Sequence, residues 1–290
     1  MAASHTAIWH GPDPNTRLTT MKPFRLLMAG AAMVMLAAGG GAWWWLSGPE
    51  QDDILPTPPE PPRLVDSPEY ERCLQMLDDD PEGARTLSDN WAMQGGGEGA
   101  AHCAALAMLS LGEAERAAEA LERIATRSQA GIAARAAVFG QAGTAWIASG
   151  RPMRAHAALT LALALTPADA ELLTERAMAS LALDRPADAL ADVDQVVVVE
   201  PSLTQAWIVR ASALRRMDRL PPAAESVTRA LQLDGDNVEA LLERGIIRQA
   251  QGNAAGARTD WERVIELEPD GATADLAAQN MALIEAGPAQ

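Results

Sequence analysis

Residues 204–237 read TQAWIVRASALRRMDRLPPAAESVTRALQLDGDN, and this stretch decides the fold. Ala206, Trp207, Val209, Arg210, Ala211 and Leu214 make a first helix, and Met217-Asp218-Arg219 turns the chain. Ala223, Val227, Ala230 and Leu231 follow at three- and four-residue steps, the apolar stripe of a second helix. Pro221 falls at the start of that helix, where a missing N–H costs little.

Moving outward, the same columns return every 34 residues. Ala155, Ala189, Ala223 and Ala257 keep step, as do Leu159, Val193, Val227 and Trp261. Gly143, Ala177, Ala211 and Gly245 form a small-residue column. Pro167, Pro201 and Pro269 close units, with Gly235 at the remaining step. Gly150, Asp184, Asp218 and Gly252 end the first helices. One alanine column would be weak in so alanine-rich a chain; several columns in one register specify a repeat architecture.

The columns resemble the tetratricopeptide-repeat (TPR) family: a large residue early (Leu173, Trp207, Leu241), a small one four later, alanine in the second helix, then proline. Four units fit, 136–169, 170–203, 204–237 and 238–271, and a fifth, 98–131, carries Ala105, Gly112, Ala117, Leu121 and Ile124. Ala117 lies 38 residues before Ala155, so four extra residues, one helical turn, separate the fifth unit from its neighbour. The resemblance implies an all-α, right-handed α-solenoid of five to six helix–turn–helix repeats. Repeats fill 98–271, a degenerate first unit 67–97, and a capping helix with a short tail 272–290.

Upstream the composition changes. Residues 24–46 (FRLLMAGAAMVMLAAGGGAWWWL) contain one charge, Arg25, and are long enough to span a bilayer. Basic residues precede this span, Glu50, Asp52 and Asp53 follow it, and Trp43, Trp44 and Trp45 suit an interfacial belt. The expectation is a transmembrane or signal-anchor helix in a bacterial cytoplasmic membrane, with the bulk in the periplasm. A cleaved signal peptide is the alternative, because the strongest apolar run, 26–38, is short and Gly40-Gly41-Ala42 suits a peptidase. Residues 1–23 read as a short cytoplasmic tail or a mis-called start, with Met21 as the other initiator. Residues 47–66 form a proline-rich acidic linker.

The net charge of −16 divides unevenly: Arg17, Lys22 and Arg25 against Asp13 give residues 1–46 a value of +2, leaving −18 on the rest. Such a surface repels phosphate backbones and argues against nucleic acid as a partner. No cofactor motif is present. His5, His10, His102 and His156 stand apart, without metal-ligand spacing. His102 and Cys103 are adjacent, so on a helix they point about 100° apart and make no nucleophile–base pair. No catalytic residue is assigned.

Cys73 and Cys103, the only cysteines, lie in leading helices of consecutive units. An even count outside the cytoplasm favours a disulfide, with two buried thiols as the alternative. TPR proteins line their concave side with first helices. By register the resemblance therefore implies a partner groove of Thr144, Ile147, Thr174, Met178, Leu181, Ile208, Ser212, Arg215, Leu242 and Ile246, mainly small and apolar, with Arg215 its cationic spot. The expected role is a membrane-tethered scaffold or adaptor for envelope proteins bearing apolar and basic segments. The alternatives are an assembly factor or holdase for envelope proteins or apocytochromes, and a self-associating structural oligomer.

Overall fold

Proline and short polar side chains set where each helix begins. Pro68, Pro81, Pro152, Pro186 and Pro221 occupy first-turn positions. Ser67, Asp80, Asp169, Asn237 and Asn253 each accept a hydrogen bond from a first-turn amide. In the computed structural model, which describes residues 63–286, these signals open a series of thirteen helices with no strand among the described residues. They are α1 (Pro68–Met76), α2 (Pro81–Met93), α3 (Gly97–Ser110), α4 (Ala114–Arg127), α5 (Ile132–Ala148), α6 (Pro152–Leu165) and α7 (Ala170–Ala182). After them come α8 (Pro186–Val199), α9 (Thr204–Arg216), α10 (Leu220–Leu233), α11 (Val238–Ala250), α12 (Ala254–Leu267) and α13 (Ala272–Ala286).

The four-residue insertion inferred from the alanine spacing has a definite place. Helix α5 is 17 residues long, whereas α7, α9 and α11 are each 13. The membrane-span expectation for 24–46 lies outside the described residues, as do the tail, most of the linker and the last four residues. Among the described residues no helix is long and apolar enough to cross a membrane.

Left-handed residues stop the leading helices. Gly112, Gly150 and Gly252 take positive φ, and so do Asp184 and Asp218 at 57° and 58°. Glycine adopts this conformation freely; for an L residue it costs about 1 kcal/mol. The two aspartates therefore hold a backbone that three sister turns give to glycine.

Packing follows volume matching. A Cβ on Gly143 would sit 2.5 Å from Leu159, and one on Gly245 would sit 2.2 Å from the Trp261 ring nitrogen. In the same register Ala177 is matched with Val193 and Ala211 with Val227, all of them buried. The larger the side chain offered by the second helix, the smaller the residue facing it, which keeps the pairs at close-packed density. Each trailing helix packs on its own leading helix and on the next one. From α5 onward the leading helices α5, α7, α9, α11 and α13 also pack on one another. Leading helices thus form the inner row, and the groove opens along them.

A second pattern uses charge. Arg176 donates twice to Asp192 and Arg244 twice to Asp260, at 2.6–3.0 Å. Arg210, at the intermediate position, donates to Ser226 and to Asp194. Arginine in the leading helix and its acceptor sixteen residues on in the trailing helix recur at the 34-residue period. The Asp260 side chain is only 3% exposed and also accepts from Arg248. Breaking such a buried bidentate pair on one side leaves a charge uncompensated, which costs about 3–5 kcal/mol.

The first pair is built differently. Helix α1 has nine residues and buries only Tyr70 and Cys73. Cys73 is joined to Cys103 of α3 by a disulfide with a Cα–Cα separation of 6.0 Å. Beside it the Tyr70 hydroxyl lies 2.5 Å from His102 Nδ1, and His102 Nε2 lies 2.6 Å from Gln141 Oε1 of α5. A neutral ring with Nε2–H donating to the amide oxygen accepts at Nδ1 from the tyrosine hydroxyl. Burial acts in the same direction, lowering the His102 pKa and pushing the Tyr70 hydroxyl up to about 12.

Candidate functional site: the inner row of helices

Thr144 and Ile147 of α5 and Glu171, Thr174, Glu175 and Met178 of α7 line an open pocket of about 370 Å³. Leu203, Gln205 of α9 and Glu239 of α11 complete its wall. Four of the residues expected in a groove, Thr144, Ile147, Thr174 and Met178, are therefore brought together. Thr174 is nearly buried, with its hydroxyl turned onto the Ala170 carbonyl, so it offers the pocket its methyl and little hydrogen-bonding capacity.

The remaining expected positions lie outside this pocket. Leu181 and Ile208 are 8% and 7% exposed and belong to the inter-helix core, because neighbouring leading helices close over them. Leu242 and Ile246 are half-buried against the core beneath α11 and α12. Ser212 is half-buried beside Arg215, which donates to both oxygens of Glu243 at 2.6 and 3.2 Å. Arg215 is thus not a free cation for an acidic partner: its charge is matched by a carboxylate on the next leading helix. Arg216, beside it, donates to the Leu181 carbonyl, and burial lowers its pKa.

The expectation of a mainly small and apolar surface also changes. Three glutamates, Glu171, Glu175 and Glu239, share the pocket wall with Ile147, Met178 and Leu203. None of the three carboxylates forms an ion pair among the described residues. Thr144 donates to Glu175 Oε1 at 3.1 Å, while Glu175 Oε2 is buried with no hydrogen-bond partner. Burial accordingly raises the Glu175 pKa to about 7, with Glu171 and Asp169 adding repulsion and the Thr144 bond opposing it. Burial also raises that of Glu239, helped by Glu268 and Asp234. Glu175 was missed by register because it lies between Thr174 and Met178, the positions of α7 taken to face inward. The signal available in the sequence was its i,i+4 relation to Glu171, which puts both acids on one face.

No family model matches the chain, and no curated protein matches it. Solved structures do. The Cut9 component of the APC/C hetero-tetramer Cut9–Hcn1 superposes with a TM-score of 0.58 at 15% identity, covering 73% of this chain and 42% of that one. The pilF protein of Pseudomonas aeruginosa gives 0.57 at 16% identity over 73% of this chain and 96% of its own. YrrB, described as a TPR protein with an unusual peptide-binding site, gives 0.46 at 16% identity over 74% and 98%. The described residues thus fold as a TPR-type solenoid of paired helices. At these identities the likeness concerns fold.

Proposed function

We propose that this chain is a membrane-tethered periplasmic scaffold or adaptor that binds protein partners along its inner row of helices. One observation carries the binding half: the leading helices leave an open, half-apolar pocket at α5, α7, α9 and α11, while their structural charges are spent on internal pairs. A surface of this kind receives a segment of another protein rather than a reacting small molecule. Among the described residues no three His, Cys, Asp or Glu side chains converge for a metal ion. The tether rests on residues 24–46 and on the charge asymmetry around them.

The test is site-directed photo-cross-linking in intact cells. A photoreactive residue at Met178 or Gln205 should trap discrete partners; one at Glu225, on the outer face of α10, should trap few. Equal trapping at all three positions would overturn the groove as the binding face. Carbonate-resistant membrane association, with residues 63–290 reached by protease only once the outer barrier is opened, is the result expected of the tether. A soluble mature chain beginning near Trp43 would replace it with a cleaved leader.

A further inference from the structure

We propose that the pocket between α5, α7 and α11 selects a lysine or arginine side chain of the partner, flanked by apolar residues that lie on Ile147, Met178 and Leu203. This inference rests on the groove being the binding face and specifies what the groove reads. Glu171 and Glu175 of α7 and Glu239 of α11 line this pocket without an ion pair among the described residues, and the Glu175 Oε2 oxygen is buried without a hydrogen-bond partner. Leaving such an oxygen unmatched is costly, and an incoming ammonium or guanidinium would satisfy it with a charge-assisted bond.

The surroundings sharpen the choice of partner chemistry. The Thr144 hydroxyl from α5 donates to Glu175, Glu171 and Asp169 of α7 act on it as charges, and Gln205 from α9 and Glu239 from α11 also line the pocket. None of these is cationic. Arginines of the same helices are engaged elsewhere: Arg176 and Arg244 are held by trailing-helix aspartates, and Arg215 by Glu243. Three cations of these helices are thus matched by internal carboxylates, while the pocket glutamates form no ion pair among the described residues, in a chain of net charge −16. An acidic tail would meet only repulsion there. The pocket volume, about 370 Å³, lies at the small end of ligand clefts, suited to one long side chain and its neighbours. Because a bound cation favours ionised Glu175, binding should release a proton and strengthen from pH 6 to pH 8.

A random twelve-residue phage-displayed peptide library panned on the full chain in detergent tests this. The selected peptides should carry Lys or Arg between apolar residues. A synthetic copy of one should lose tenfold or more in affinity for a Glu171→Gln/Glu175→Gln/Glu239→Gln variant, and should keep its affinity for Asp188→Asn/Glu225→Gln/Glu262→Gln on the outer helices. Circular-dichroism melts check that both variants are folded. Neutral or acidic selected peptides, equal weakening by both variants, or no enrichment would each overturn the inference. Neutral peptides abolished by Met178→Asp would overturn the cation and spare the groove; basic peptides indifferent to Met178→Asp would overturn both.

Discussion

The first helical pair and the pairs from α5 to α12 reach the same helix–turn–helix shape by different means. In α5–α12 each unit carries its own packing: a small residue fitted to a large one, a left-handed turn and, in three units, an arginine held by the trailing helix. The pair α1–α2 has few of these. Its inward side chains are a cysteine, an alanine, a tyrosine and a serine, and a covalent bond with a tyrosine–histidine–glutamine chain attaches it to α3 and α5. In a linear repeat array stability is nearly a sum of unit and neighbour terms. A poor terminal unit therefore frays unless it is fastened, and here the fastening is chemical where elsewhere it is steric.

The sharpest way to break this contrast is to cut the bond. Cys73→Ser/Cys103→Ser, or reduction, closes no loop across a separation of 30 residues and should cost about 3–4 kcal/mol in the chain-entropy account. Hydrogen exchange should accelerate throughout α1 and α2 and stay unchanged from α7 to α12. Two alkyl groups taken up by the unreduced, denatured protein would show that the bond is not formed.

Next in size is a steric change in the regular region. Gly245→Ala places a methyl group against the Trp261 ring and should destabilise by about 1–3 kcal/mol. The same methyl is already present at Ala177 and Ala211, where the partner is valine, so Ala211→Gly should cost only about 1 kcal/mol. Thermal unfolding of both variants decides whether volume matching or composition governs the column.

The pocket predicts a pH effect of its own. Glu175 has its folded pKa raised to about 7, so the folded state holds its proton more tightly. Its contribution to stability is fully present below the ordinary carboxylate pKa and is lost as pH rises through about 7. Glu175→Gln should therefore match the parent at pH 4 and exceed it by about 1–2 kcal/mol at pH 8, measured by urea unfolding at both pH values. A constant difference across that range would remove the buried-carboxylate account.

The smallest effect concerns the turns. Asp184→Gly and Asp218→Gly should each gain about 0.5 kcal/mol, the relief of a left-handed aspartate less the extra freedom of glycine when unfolded. Gly150→Asp should lose a similar amount. Equal melting temperatures for all three would mean that local contacts already offset the strain.

Most of the architecture was legible in the sequence because spacing reports directly on helical geometry. The proline, alanine and breaker columns locate α5 to α12, and the 38-residue step locates the extra turn of α5. The site was less legible. Leu181 and Ile208 have the right register for a groove, but register says which way a residue faces and not whether the next helix covers it. Glu175 and the Arg176–Asp192 and Arg244–Asp260 pairs were missed for another reason. Charged residues on an amphipathic helix look solvated by default, and the partner of each arginine lies sixteen positions away on a different helix.

The matched volumes of Gly143 with Leu159, Ala177 with Val193, Ala211 with Val227 and Gly245 with Trp261 also bear on how such a gene can change. The members of each pair belong to one unit, so an exchange of whole units between positions carries lock and key together. A crossover falling between the two helices would set Ala211 against Trp261, or Gly245 against Val227, producing a collision or a void. Recombination is thus tolerated at the boundaries between units and penalised within them, so intact units are the segments in which this coding sequence can be lengthened, shortened or shuffled.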